Sequence, residues 1–214
     1  MSHTGRGILT VVSGFAGSGK GTVMKKLIAE HDNYALSISA TSRAPRPGEE
    51  EGVSYFFKTR EQFEEMIKAD ALLEYAEYVG NYYGTPKDFV FSKMDEGRDV
   101  ILEIEIQGAQ KVRRQFPNAV LLFVMAPSGK ELYQRLTGRG TETEEVIRKR
   151  MWRAVDESEG IDSYDYVVIN DDLDECVAQV NSIVKAAHAR PSQNQEFISK
   201  IRMELKEILK GEEK

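Results

Sequence analysis

A glycine-rich loop near the N-terminus has the composition of a phosphate-binding site. An apolar strand candidate, 8–12, leads into the loop, and a helical pattern follows it, 19–30. Glycines let a loop wrap tightly and aim backbone N–H groups at phosphate oxygens, and a helix N-terminus adds positive partial charge. The loop residues are Gly14, Phe15, Ala16, Gly17, Ser18, Gly19, Lys20, Gly21 and Thr22. The segment predicts binding of a nucleoside triphosphate, with Lys20 reaching its β- and γ-phosphates for transfer of the terminal phosphoryl group.

The residue after Lys20 departs from the usual pattern of such loops. The GxxxxGK[ST] pattern ends in a hydroxyl residue that binds magnesium directly. Here Gly21 occupies that position and Thr22 comes next. We therefore predict no direct metal ligand in this loop, and expect Thr22 to coordinate through water or to bind an α-phosphate.

Apolar runs that alternate with helical patterns predict the scaffold behind this loop. Strands are predicted at 8–12, 100–106, 120–125 and 166–169, and helices at 19–30, 108–115, 128–136 and 173–187. Strand–helix alternation favours an α/β fold with a parallel central sheet in three layers. Ligands of such sheets bind beyond the carboxyl ends of the strands.

Three segments depart from this strand–helix alternation, and they define the boundaries of the predicted domains. Residues 39–86 have turn signals and alternation at 53–57, which predict an inserted subdomain with short antiparallel strands. Residues 138–152 are polar and begin with Gly138-Arg139-Gly140, which predicts a mobile lid. The core then comprises 1–38, 87–137 and 153–190, and a helical extension spans 191–214.

The extension carries apolar residues at helical spacing with lysines and glutamates between them. They are Phe197, Ile198, Ile201, Leu205, Ile208 and Leu209. Three alternatives follow: a helix folded back on its own core, a self-associating or partner-binding helix, and an extension without function. The sequence leaves the chain a monomer or a homodimer.

Composition limits the partners and the compartment. A formal net charge of −6 argues against non-specific binding of nucleic acid or an anionic membrane. No run approaches the ~20 apolar residues of a membrane span, and the N-terminus lacks a signal-peptide pattern. Cys176 is the only cysteine, which favours a reducing compartment and hence the cytoplasm.

The inserted segment closely resembles the S-x-T-T-R-x-P-R-x-G-E signature of guanylate kinases. It reads Ser39-Ala40-Thr41-Ser42-Arg43-Ala44-Pro45-Arg46-Pro47-Gly48-Glu49. The resemblance continues through Gly80-Asn81-Tyr82-Tyr83-Gly84-Thr85, Leu102-Glu103-Ile104-Glu105-Ile106-Gln107-Gly108 and Arg135-Leu136-Thr137-Gly138-Arg139-Gly140. It covers roughly 8–187 in order and at family spacing. The resemblance implies an ATP:GMP phosphotransferase that uses magnesium, also accepts dGMP, and has a core, a GMP-binding subdomain and a lid.

The resemblance also implies which residues of the subdomain hold the GMP phosphate. Arg43 and Arg46 offer planar, permanently charged donors that suit a phosphate dianion. Tyr55 and Tyr83 add phenolic donors without further charge.

Guanine recognition is assigned in the same way. Guanine presents its N1–H and 2-amino donors on one edge, which favours a carboxylate, and Glu74 stands at the matching position. The hydroxyls of Ser39 and Thr85 can donate to guanine O6. A site that hydrogen-bonds in this way can discriminate against adenine by about 10⁴.

Two glutamates follow on the strand predicted at 100–106. Being two residues apart on a strand, Glu103 and Glu105 would point to the same face, near the substrates. We expect one to order magnesium-bound water and the other to meet the guanine amino group or an arginine. Glu103 is the candidate for the metal through water and Glu105 for the base, while a structural ion pair remains an alternative.

Further positively charged residues belong to the predicted lid. Arg135, Arg139 and Arg150 would swing in on closure and stabilise the transferring phosphoryl group, with Arg148 as the alternative to Arg150. Asn170 follows the last strand, where it either touches the adenine side or caps the next helix. Phe15 either changes the stiffness of the phosphate loop or packs against the adenosine.

Two other functions compete with a guanylate kinase enzyme. One is a catalytically silent guanylate-kinase-like module that binds proteins, but such modules typically lose the phosphate loop. The other is a P-loop kinase for a different monophosphate, against which Glu74, Ser39 and Thr85 argue.

Overall fold

The computed structural model describes residues 5–138 and 143–212, and Arg139 therefore lies outside the described residues. The strands are β1 (Leu9–Gly14), β2 (Tyr34–Leu36), β3 (Ala40–Thr41), β4 (Phe56–Phe57), β5 (Leu72–Tyr78), β6 (Asn81–Pro86), β7 (Asp99–Glu103), β8 (Val120–Met125) and β9 (Tyr166–Ile169). The α-helices are α1 (Lys20–Glu30), α2 (Arg60–Lys68), α3 (Lys87–Asp95), α4 (Ile106–Gln115), α5 (Gly129–Thr137), α6 (Glu144–Ser158), α7 (Leu173–Ala187) and α8 (Gln195–Glu212).

Five parallel strands form the central sheet, in the order β2-β7-β1-β8-β9. Helices cover both faces, because neighbouring side chains of a buried strand point to opposite sides. Val12 of β1 packs in a core with α1 and α7, whereas Val11 packs in a core with α3 and α4. The predicted α/β fold with a parallel sheet in three layers is confirmed. The short edge strand β2 was not predicted, because three residues carry too little periodicity.

The predicted strand at 100–106 is wrong at its carboxyl end. β7 stops at Glu103, and Glu105 is the N-cap residue of α4. The argument that Glu103 and Glu105 share a strand face therefore fails, since the chain has turned into a helix between them. Both glutamates nevertheless stay at the carboxyl end of the sheet.

The inserted segment builds its own sheet, in the order β4-β3-β6-β5. β6 pairs antiparallel with β3 and β5, while β3 and β4 pair in parallel. The strand expected at 53–57 is limited to Phe56–Phe57. Phe63 of α2 is buried with Ala40 and Leu72 under this sheet, so the segment has a small core of its own.

Helix α6 extends through the predicted end of the lid. Thr143 caps its start by accepting a hydrogen bond from the Val146 N–H, and the helix continues for 15 residues to Ser158. The boundary predicted at residue 152 thus falls inside one helix. Because a helix is stiff along its length, residues 144–158 form one element.

The C-terminal extension ends in α8, an 18-residue helix that begins after a short 3-10 turn, Pro191–Gln193. Its apolar side chains stay in contact with solvent, since Phe197, Leu205, Ile208 and Leu209 are each more than half exposed. The expectation that this helix folds back on its own core is therefore wrong. Across the described ranges, no helix combines the length and the apolar composition that a membrane span requires.

Candidate active site

The phosphate-loop candidate connects the end of β1 to the start of α1, as predicted. Gly19, the N-cap residue of α1, has a φ of +84°, and no side-chain hydrogen bond caps this helix. A Cβ at Gly19 would lie 2.3 Å from the Nδ2 atom of Asn170, so only glycine fits. The first turn contains no acidic residue, which leaves the positive end of the helix dipole directed at the loop.

Asn170 braces this loop from the end of β9. Its buried side chain donates from Nδ2 to the Ser18 carbonyl oxygen at 2.8 Å. The alternative that Asn170 caps the next helix is wrong, because Asp172 caps α7 by accepting from the N–H groups of Asp174 and Glu175. A contact of Asn170 with adenine stays a prediction.

Phe15 anchors the loop in the core. Its ring is buried and meets Phe123 edge to face, with 5.0 Å between ring centroids. Leu132 and Leu136 of α5 belong to the same cluster. The alternative that Phe15 packs against the adenosine is therefore wrong, because its ring is buried in the protein core.

Lys20 forms an ion pair with Glu103, with 2.9 Å between Nζ and Oε1. The two residues meet because β1 and β7 are neighbours, with Val12 opposite Glu103. A Cβ at Gly21 would lie 3.8 Å from the same carboxylate oxygen. Glu103 thus faces the position at which the usual loop hydroxyl would stand.

This arrangement fits a magnesium ion that arrives with the nucleotide. Magnesium keeps several water ligands and is commonly held by one or two carboxylates together with substrate phosphates. Glu103 supplies one such carboxylate beside the loop. Among the described residues, no group of three or more His, Cys, Asp or Glu side chains could hold a metal ion.

A cavity of about 500 Å³ opens at the carboxyl end of the sheet. The predicted residues Lys20, Glu103, Glu105 and Arg150 line it together with the loop residues Gly14 and Ala16. Arg135 does not belong to this lining and instead pairs with Glu131 on its own helix, at 2.8 Å. Arg148, the alternative to Arg150, is exposed outside the lining.

The predicted guanine-binding residues meet on the inserted sheet. Thr85 of β6 is buried and donates from Oγ1 to Oε1 of Glu74 at 2.7 Å. The pairing of Ala40 with Gly84 places Ser39 next to Thr85 when the register is extended by one residue. In this structure the Thr85 hydroxyl donates to Glu74. Donation from Ser39 and Thr85 to guanine O6 stays a prediction.

Burial raises the pKa of the Glu74 carboxyl above its ordinary value of 4.5, against the opposing effect of the Thr85 hydrogen bond. A carboxylate in a partly apolar surrounding is poorly hydrated. Its charged form therefore gains from donors that a ligand brings.

The predicted phosphate-binding residues also lie together. The Arg43 guanidinium lies 5.5 Å from the Tyr55 ring centroid, and the Tyr55 and Tyr83 rings lie 6.1 Å apart. Arg46 is exposed on the loop that follows Arg43. These four residues form one donor surface at the edge of the inserted sheet.

Glu49 holds this surface in place, a role that the motif alone did not reveal. Its carboxylate accepts from Arg43 Nη2 at 2.8 and 3.0 Å and from the Arg46 backbone N–H at 2.7 Å. The Arg43 guanidinium, followed by the Arg46 N–H, holds the pKa of Glu49 below its ordinary value. The sequence carries a signal for this pairing, because Arg43, Arg46 and Glu49 follow one another at intervals of three residues within one signature.

Sequence reasoning also missed Arg153 and Glu157 of α6, which line the 500 Å³ cavity. Arg153 pairs with Glu105 at 2.6 Å and with Glu157 at 3.0 Å. The only available signal was helical spacing, because residues 150, 153 and 157 recur at intervals of three and four on one helix face.

Comparison with known proteins agrees with this geometry. The sequence model of the guanylate kinase family matches residues 6–187. A guanylate kinase of Halalkalibacterium halodurans is 56% identical over 185 residues, which cover 86% of this chain and 91% of the relative. A guanylate kinase of Caldanaerobacter subterraneus subsp. tengcongensis is 48% identical over 204 residues, which cover 95% of this chain and 99% of the relative.

A solved structure adds the same likeness in three dimensions. The crystal structure of guanylate kinase from Anaplasma phagocytophilum superimposes with a TM-score of 0.69 at 31% identity, covering 89% of this chain and 90% of that one. Family match, close relatives and fold agree over the whole region that builds the cavity and the inserted sheet. The chain belongs to the guanylate kinase family and is an enzyme of that kind.

Proposed function

We propose that this enzyme transfers the γ-phosphoryl group of ATP to GMP or dGMP, giving ADP and the corresponding diphosphate. One observation carries the proposal: the hydrogen-bonded pair of Glu74 and Thr85 lies on the inserted sheet, beside the arginine and tyrosine surface of Arg43 and Tyr55. This arrangement offers an acceptor for the guanine donors and cationic donors for a phosphate on one subdomain.

The residues position the acceptor and need no general base. Arg43, Arg46, Tyr55 and Tyr83 hold the GMP phosphate, whose oxygen is already an anionic nucleophile. That oxygen bonds to the γ-phosphorus as the bond from γ-phosphorus to the β–γ bridging oxygen breaks, and ADP leaves with the electron pair. Catalysis is then mainly positioning and charge stabilisation.

On the donor side, Lys20 leaves Glu103 and binds the β- and γ-phosphates, while backbone N–H groups of the loop surround them. Magnesium would be held with the ATP phosphates by Glu103 and Thr22 through water, and it would neutralise charge that develops on the phosphate oxygens. We propose that Arg135, Arg139 and Arg150 approach the phosphates when the predicted lid closes. Closure would also exclude water from the transfer.

A nucleotide panel tests this function. ADP release is measured in a coupled assay with GMP, dGMP, AMP, UMP and dTMP offered separately at equal concentration. We expect GMP to exceed AMP in kcat/KM by at least about 10³, because adenine would leave the Glu74 carboxylate opposite an acceptor. A comparable rate with AMP would contradict the guanine assignment.

For the extension, we propose that α8 self-associates with α8 of a second copy of the chain. Ile198, Ile201, Leu205 and Ile208 follow the three-and-four spacing of a helix–helix seam. Leu205 and Ile208 are each more than half exposed, so this seam is open to a second helix.

Light scattering after gel filtration tests this association. We expect the wild-type chain to be a dimer at micromolar concentration and the variant L205E/I208E to be a monomer. Met203→Glu is the matched control, because Met203 is exposed on the same helix but lies off the seam. A monomeric wild-type chain, or equal behaviour of M203E and the seam variant, would contradict the proposal.

We also propose a cytoplasmic location. Cys176 is a buried free thiol, which fits a reducing compartment, and the proposed nucleotide substrates fit the same location.

A further inference from the structure

We infer that Arg153 is a positioning residue for guanine recognition, and that it acts by holding the carboxylate of Glu105 on the GMP side of the cavity. The inference rests on the proposed function, in which Glu105 is the second carboxylate at the guanine edge. Helix α6 would then have two roles. Arg153 contributes to selection of the base, and Arg150 contributes positive charge near the phosphates.

The guanidinium of Arg153 bridges two carboxylates that belong to different elements. Its Nη2 atom lies 2.6 Å from Oε2 of Glu105, at the start of α4. Its Nε atom lies 3.0 Å from Oε1 of Glu157, one turn further along α6. Glu157 is well covered, and burial raises the pKa of its carboxyl against the effect of Arg153. Glu157 thus fixes one side of the guanidinium, and the other side is presented to Glu105.

The side chain of Glu105 is weakly restrained by its own helix, α4. It is the N-cap residue of α4, yet its side chain makes no capping hydrogen bond. The side chain is 70% exposed, so packing restrains it little. The direction of this carboxylate is therefore set mainly by Arg153. An ion pair this exposed adds little to stability, so its loss should alter orientation more than folding.

The start of α4 also adjoins Glu74. A Cβ at Gly108, in the first turn of α4, would lie 3.3 Å from Oε2 of Glu74. The charge of Glu105 contributes to raising the pKa of Glu74, after the larger effect of burial. Two carboxylates therefore approach the same place, where Lys111 opposes the rise in the pKa of Glu74 and Arg153 pairs with Glu105.

Guanine has three hydrogens on the relevant edge, one on N1 and two on the 2-amino group. One carboxylate can accept two of them, and a second acceptor is needed for the third. Glu105, held by Arg153, is placed to accept the third hydrogen. A purine that lacks the 2-amino group has no hydrogen to donate to this acceptor.

Steady-state kinetics with GMP and IMP test the inference, because IMP differs from GMP only by the missing 2-amino group. We expect Arg153→Ala to lower kcat/KM for GMP roughly 10-fold through KM, as for loss of a hydrogen bond to a charged group. The KM for ATP should change less than about 2-fold, and so should kcat/KM for IMP. Arg153→Lys should restore part of the loss. Arg148→Ala is the matched control, since it removes an exposed arginine from the same helix without touching Glu105.

The double variant with Glu105→Gln separates positioning from other roles. We expect R153A to add no loss to that of E105Q, because both remove the same interaction. Independent losses, a fall in kcat without a change in the GMP KM, equal losses for GMP and IMP, or unchanged kinetics would each overturn the inference. A wild-type enzyme inactive on GMP would instead refute the proposed function, before any variant is compared.

Discussion

Replacing Lys20 by alanine is expected to lower kcat by about 10³-fold or more while the protein stays folded. In the proposed mechanism the ammonium is the charge of the loop that reaches the β- and γ-phosphates, and alanine would leave only backbone donors there. Because transfer depends on charge stabilisation, the loss should appear in kcat more than in the KM for GMP.

Two measurements separate this effect from damage to the fold. Lys20 and Glu103 are both partly exposed, so loss of their ion pair should shift the thermal midpoint little. Lys25→Ala is the control, since it removes an exposed lysine from the same helix outside the cavity. If K20A retained wild-type turnover, Lys20 would have no part in the mechanism.

The variant Glu74→Gln is expected to lower kcat/KM for GMP by roughly 10²-fold or more and to leave the KM for ATP unchanged. An amide offers guanine one acceptor where the carboxylate offers two, and it places an N–H₂ group against the guanine donors. Folding should not suffer, because burial already disfavours the charge of Glu74. An unaltered GMP KM in E74Q, with the thermal midpoint preserved, would remove Glu74 from the guanine site.

The raised pKa of Glu74 predicts a pH dependence of GMP binding that the Glu74→Gln variant should lack. In the proposed site guanine binds the charged carboxylate, so GMP affinity should fall as the pH drops through that pKa, which lies above the ordinary 4.5. Binding of GMP favours the charged form, lowers the pKa and therefore releases protons in this range. Calorimetry in buffers of different ionisation enthalpy should detect a larger release in the wild-type protein than in E74Q, in which only the GMP phosphate, with a second pKa of about 6, still titrates.

Much of the fold followed from local pattern. Gly14–Thr22 lies between a buried strand and a helix, and that context is readable because periodicity and glycine spacing act over a few residues. The signature from Ser39 to Glu49 likewise placed Arg43 and Arg46 together. Both predictions rest on residues that are close together in the sequence, so a local pattern is enough to make them.

The remainder depends on contacts between distant segments, which no local pattern contains. The end of β7 at Glu103 could not be read from the apolar run, since Ile104 and Ile106 continue the same alternation. Arg153 and Glu105 are 48 positions apart and meet only because the fold brings α6 to the start of α4. Asn170 was ambiguous for the same reason, since its partner Ser18 lies 152 positions away in the sequence.

The unbroken course of α6 through residue 152 makes residues 144–158 one rigid helix. At 1.5 Å per residue the helix is about 22 Å long. If it pivots at Ser158, each side chain travels in proportion to its distance from that end. Arg153 would move about a third as far as the Thr143 end, and Arg150 a little over half as far. One rotation would thus move Arg150 about 1.6 times as far as Arg153, a ratio that follows from their positions along the helix alone.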